Sequence, residues 1–168
     1  RGTIKGIGDE TQEIDNMLTK KHEVVHTYGW YIQKVVRDAK SKGAIPIICS
    51  SIPRNDWKEG KVPRNNKSYG LWAKQIAEQE KVTFIELNDN MAVEMEKLGE
   101  EKITGTYFYK RDHTHTSARG AVLSASVIIN QLKKSDNSLK NYILPNPKIV
   151  LPAKKKVYLI GDSTMANN

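Results

Sequence analysis

With 168 residues, 38% of them hydrophobic and 27% charged, the chain has the makeup of one globular domain large enough to bury a core. No apolar run approaches the ~20 residues of a membrane-crossing helix, which excludes a membrane span, and the lone Cys49 excludes an intrachain disulfide. Twenty-seven Lys and Arg against nineteen Asp and Glu give a net charge of +8, enough to attract polyanions, but no aromatic-basic interleaving or nucleic-acid motif accompanies it, so nucleic acid is not an expected partner.

The stretch from Arg1 to His26, rich in Gly, Thr and charge and without periodicity, reads as a long loop. It starts without methionine or a charged-then-apolar leader, so any targeting segment is expected to have been removed or to lie outside this piece. His26 is expected to pack or cap where the first helix begins.

Apolar residues at Tyr28, Ile32, Val35, Val36 and Ala39 fall on one helical face, and Gly43 supplies the stop. Ala44 to Ser50 is a continuous apolar run suited to a strand covered on both faces, with Cys49 as a small buried residue. The pattern repeats in a second helical face at Tyr69, Trp72, Ala73, Ile76 and Ala77 and a second β-rich run, Val82 to Leu87. Asn88 or Asp89 can cap a third helix through Met91, Ala92, Met95 and Leu98, and Ser117 a fourth through Ala121, Ala125, Ile128, Ile129 and Leu132. Helices alternating with short apolar strands predict an α/β fold with a mostly parallel sheet. Ser135 to Lys156, with Pro145, Pro147 and Pro152, reads as a linker or surface crossing, and Val157 to Ile160 as a buried strand running into Gly161-Asp162-Ser163.

In open α/β sheets the ligand crevice lies past the carboxyl ends of the strands, where Ser163 would stand. A serine hydroxyl needs an imidazole to take its proton and a carboxylate to hold that imidazole's tautomer, and Asp112-His113-Thr114-His115 offers both from one turn. His113 and His115 beside Asp112 also suggest metal ligands, yet a zinc site wants three or four and no further cluster is evident, so no metal or other cofactor is expected. Among the tryptophans, Trp30 and Trp72 lie in or beside helices as core candidates. Trp57, with Arg54 and Asn55 in the polar loop past the first parallel strand, is the candidate for carbohydrate contact.

Gly161-Asp162-Ser163 together with Asp112-x-x-His115 resembles the SGNH, or GDSL, hydrolases. The longer text, Tyr158 to Met165 with Asp112 to Ser117, is similar to the rhamnogalacturonan acetylesterases, and the likeness continues through Glu23 to Tyr31 and Ser51 to Trp57. The resemblance implies a three-layer flavodoxin-like fold and a serine esterase removing O-acetyl groups from a pectin-type, acidic polysaccharide. In it Ser163 is the nucleophile, His115 the general base and Asp112 the orienting carboxylate, and the setting is secreted or cell-envelope.

In that family the serine opens the domain, whereas here it follows the Asp and His, and the glycine and asparagine completing the oxyanion hole find no match. The expected division is therefore 1–134 as the later portion of an esterase domain, 135–156 as linker and 157–168 as nucleophile strand and turn. The chain could be a boundary fragment, a permuted domain whose last strand folds back, or a piece completed by a second chain or module. Two other readings stand beside the enzyme: a catalytically incompetent carbohydrate-binding module of the same fold, and a basic polyanion-binding protein.

Overall fold

A computed structural model describes residues 4–144. Ser163, Lys154 to Lys156 and the remainder of the expected final strand lie outside the described residues.

The expected alternation of helix and strand is present. Helix α1 (Tyr28–Ser41) leads through Gly43, at φ 77°, to strand β3 (Ile47–Cys49). Helix α2 (Tyr69–Gln79) then crosses to β4 (Thr83–Ile85), and the two strands pair in parallel with Ile48 opposite Phe84. Helix α3 (Leu87–Leu98), the short α4 (Glu100–Ile103) and α5 (Ala118–Lys134) follow, with a closing 3-10 turn at Ser138–Tyr142.

Strand alternation sorts the core into two sides. Ile48 packs with Val36 of α1 and Ala73, Ile76 and Ala77 of α2, with Phe84 against them. Ile85 packs on the other side with Leu87, Met91 and Met95 of α3, Val127 of α5, Ile103 and Phe108, with Ile47 against them. Successive strand residues thus face opposite helix pairs, giving helices, a parallel pair and helices in three layers, the α/β arrangement expected from the sequence.

Residues 4–26 depart from the expected loop. Thr11–Asp15 (β1) and His22–His26 (β2) form an antiparallel hairpin, in register from Thr11 opposite His26 to Asp15 opposite His22. Its turn is held by Asn16, whose Oδ1 accepts the backbone N–H groups of Leu18 and Thr19 and whose Nδ2 donates to Glu23. Residues Thr11 to Asp15 are largely exposed, so the strand lacks the apolar alternation that would mark it in sequence. His26 stacks on Trp30 with centroids 3.7 Å apart, while the cap of α1 is Thr27, which accepts from the Trp30 N–H and donates to the Gly8 carbonyl. Gly29 is required there, because a Cβ would lie 2.6 Å from the Ile7 backbone.

Two further expectations are corrected. Cys49 is exposed, because β3 has β4 on one edge and no strand on the other among the described residues, leaving a groove of about 380 Å³ between that edge and Ile32, Val35, Val36 and Ala39 of α1. The region read as linker after Ser135 starts as packed structure: Asn137 is buried, caps the 3-10 turn and donates to Thr83 Oγ1 at the start of β4.

Candidate active site

The ends of β3 and β4 are tied into one floor. Ser50, just past β3 and 2% exposed, donates to Glu86 and accepts the Asn88 backbone N–H. Asn88 in turn donates to the Ser51 carbonyl and accepts the Asn65 N–H. Buried polar groups of this kind persist because each finds a partner. They fix loops 50–57 and 62–68 around a cavity of about 250 Å³ whose lining includes Ser51, Arg54, Asp56, Arg64, Asn65 and Tyr69.

Asp112 and His115 emerge from one turn, as their spacing suggests. Asp112 Oδ1 accepts the backbone N–H groups of Thr114 (2.8 Å) and His115 (2.9 Å), and Oδ2 lies 2.6 Å from His115 Nδ1. These bonds, the two backbone donors first and the imidazole after them, hold the Asp112 carboxyl down at about 2, so it is a carboxylate throughout the physiological range. A carboxylate only accepts, so in the neutral ring the hydrogen sits on Nδ1 and Nε2 carries the lone pair. Both side chains are about one-third exposed as wholes, yet the Nε2 atom itself is covered and makes no hydrogen bond among the described residues. A positioned, unprotonated imidazole nitrogen held by a carboxylate is what a general base requires.

The turn is anchored downstream by α5. Ser117 caps that helix as expected, accepting the Gly120 N–H, and also donates to the Thr106 carbonyl, while its own N–H bonds the Tyr107 carbonyl. Thr116 bridges to Phe108, which is fully buried. Gly120 lets α5 approach this closely, since a Cβ there would stand 2.2 Å from the Tyr107 carbonyl oxygen and 2.8 Å from Thr116 Cβ.

The three loop residues expected to meet carbohydrate separate by depth. Arg54 is exposed at the cavity, with Asp56 3.5 Å away. Asn55 is 3% exposed, its side chain used by Thr104 Oγ1 and the Trp57 indole N–H. Trp57 is half-buried against the larger core cluster, so its indole N–H and part of its ring are already committed. Asn55 was legible as a loop residue, but its burial depends on partners 49 and 58 residues away, Thr104 and His113, for which single-sequence reading has no signal.

His113 and His115 turn to different partners, His113 to Asn55 and Asp56 and His115 to Asp112. The arrangement within the described residues can therefore take a proton at His115 Nε2, on a turn joined through His113 to the loop that lines a cavity with an exposed arginine.

No family model matches the chain. A rhamnogalacturonan acetylesterase of Emericella nidulans (strain FGSC A4) is 28% identical over 143 residues, which is 85% of this chain and 57% of that protein. A protein named probable rhamnogalacturonan acetylesterase YesY, from Bacillus subtilis (strain 168), is 29% identical over 112 residues, 64% of this chain and 51% of that protein. The chain thus spans about half the length of these curated relatives. In three dimensions it is similar to the X-ray structure of protein YxiM from Bacillus subtilis, with a TM-score of 0.56 and 28% identity over 61% of this chain and 29% of that one.

Proposed function

We propose that this chain, a relative of the rhamnogalacturonan acetylesterases within the SGNH hydrolases, carries the base and orienting carboxylate of a serine esterase and acts with Ser163 on O-acetylated acidic polysaccharide. The observation that carries this reading is the Asp112–His115 pair, with Nδ1 bound at 2.6 Å and Nε2 presented without a partner among the described residues.

In this reading His115 Nε2 takes the proton of Ser163 Oγ as that oxygen bonds to the acetyl carbon and the carbonyl electrons move to oxygen. The Ser163 backbone N–H donates to the resulting oxyanion. When the oxyanion collapses, the bond to the sugar oxygen breaks and His115 returns the proton to that oxygen, leaving acetyl-Ser163. Water, deprotonated by His115, then releases acetate and restores the serine. The Asp112 carboxylate remains charged throughout and stabilises the imidazolium that forms at each step.

The cavity beside Arg54 is the corresponding seat for the sugar. Its exposed guanidinium suits the carboxylate of a uronic acid, for which a planar two-pronged donor is matched. Asn55 and Trp57 support that loop from beneath.

Hydrolysis of a small chromogenic acetyl ester by the full chain tests the assignment. Ser163→Ala and His115→Ala should each abolish turnover with the fold retained, and activity that survives both would sink it.

A further inference from the structure

We infer that His113 is a positioning residue for His115, acting through a clamp onto Asn55. This rests on the reading of His115 as the base and deepens it by naming what fixes that base in place.

Among the described residues, every hydrogen bond that leaves the segment 109–115 is made by His113. Its carbonyl accepts the Asn55 N–H at 2.8 Å, and its ring Nδ1 lies 2.7 Å from the Asn55 carbonyl. All other bonds of the segment are internal: Asp112 N–H to the Tyr109 carbonyl, and the three that Asp112 accepts. Asp112 and His115 thus hold each other, and neither makes a hydrogen bond to the body of the fold among the described residues. The anchors beyond the segment flank it on both sides: upstream the buried Phe108, whose N–H bonds the Ile103 carbonyl, and downstream Thr116 and Ser117.

The partner of the clamp is rigid. Asn55 is buried and bonded to Thr104 and Trp57, and Trp57 packs on the main core. His113 Nδ1 also lies 3.3 Å from Asp56 Oδ1, so two oxygen acceptors face the same nitrogen and the hydrogen must be on it. Residues 54 and 56, on either side of Asn55, line the cavity beside Arg54. His113 therefore sets the spacing between the base and the cavity as well as the orientation of the turn.

The chemistry of the clamp is one donor at the position of Nδ1. In asparagine the side-chain NH₂ stands the same number of bonds from the backbone as Nδ1 of histidine, whereas glutamine carries it one bond further. His113→Asn should keep the clamp, and His113→Ala and His113→Gln should lose its side-chain half.

The experiment is proton and nitrogen NMR of the His115 ring in the full chain, with kcat and KM for the chromogenic acetyl ester measured alongside. In His113→Ala the His115 Nδ1–H resonance should broaden or vanish and kcat should fall about 10- to 100-fold with KM little changed, the scale of a base displaced by up to an ångström. His113→Asn should restore both signals, and it guards against an alanine variant that fails to fold. An unaltered Nδ1–H resonance and kcat in His113→Ala would overturn the inference, as would an asparagine variant that folds like wild type yet matches alanine in both. The NMR signal does not depend on Ser163. A wild-type chain without esterase activity whose His115 resonance follows these variants would refute the proposed function and leave the clamp standing.

Discussion

Replacing Asp112 by asparagine separates orientation of the proposed base, His115, from the fold that carries it. Asparagine keeps one side-chain oxygen, which can go on accepting from the Thr114 and His115 backbone N–H groups at 2.8 and 2.9 Å. What changes is the atom facing His115 Nδ1 at 2.6 Å, where an NH₂ donor replaces a charged acceptor. Two donors cannot share that distance, so the ring must move its hydrogen to Nε2 and accept at Nδ1. Nε2 then has no lone pair for a serine proton, and the negative charge that would stabilise the imidazolium is gone. A loss of about 10⁴ in kcat follows for a base locked in the wrong tautomer, with KM little affected because no group touching the cavity has changed. The assay is kcat for a chromogenic acetyl ester between pH 7 and 9, with thermal unfolding followed by circular dichroism and the His115 tautomer read from its ring nitrogen shifts. An Asp112→Asn variant that folds normally, keeps the Nδ1–H form and loses less than about tenfold in kcat would refute the reasoning.

Gly120→Ala should displace the dyad from outside it: a methyl 2.2 Å from the Tyr107 carbonyl oxygen must push α5 away or shift Thr116, at a cost of about 1–3 kcal/mol, visible as a lowered melting temperature together with a lower kcat. Glu96 is held down at about 2 from an ordinary 4.5, first by the Arg64 guanidinium and then by the Val62 N–H. Its ionised form therefore favours folding fully above about pH 4.5, and that contribution fades as pH falls through about 2. Glu96→Gln should lower stability at neutral pH and flatten the stability loss between those two values in denaturant melts, and an acid limb as steep as wild type would count against it.

The parts of the fold legible in the sequence are those built on local pattern. Tyr28 to Ser41 and Tyr69 to Gln79 are helices as their apolar spacing suggests, although Val35, expected on the first buried face, is exposed, and Ser117 stands at the head of α5 with a side chain able to cap it. The parallel strands were legible as apolar runs, though only Ile47–Cys49 and Thr83–Ile85 pair, since the ladder extends only as far as both partners do. The β1–β2 hairpin was missed because its first strand is exposed and polar, and its stability comes from pairing and from the Asn16 turn. Of the candidate site, Asp112 and His115 were legible because the whole interaction closes within four residues. The roles of Asn55 and His113 were not, because each is defined by the other, 58 residues distant. Cys49 was misjudged for a related reason: an apolar run implies cover on both faces of a strand, but says nothing about its edges.

Helix α5 begins just after its cap Ser117, beside the dyad, and ends at Lys134, three residues before Asn137, which is bonded to the first residue of β4 at the far end of the sheet. Its 17 residues carry the chain about 25 Å away from His115. Ser163 lies nineteen positions beyond Leu144, a maximum reach of about 65 Å, so chain length alone permits a return within one molecule. That turns the route of the serine into a question of dilution. If, as proposed, His115 and Ser163 of one molecule act together, their encounter is intramolecular and activity per molecule stays constant as enzyme is diluted. If the serine serves the histidine of another molecule, activity per molecule falls with dilution, and a serial dilution of one preparation distinguishes the two.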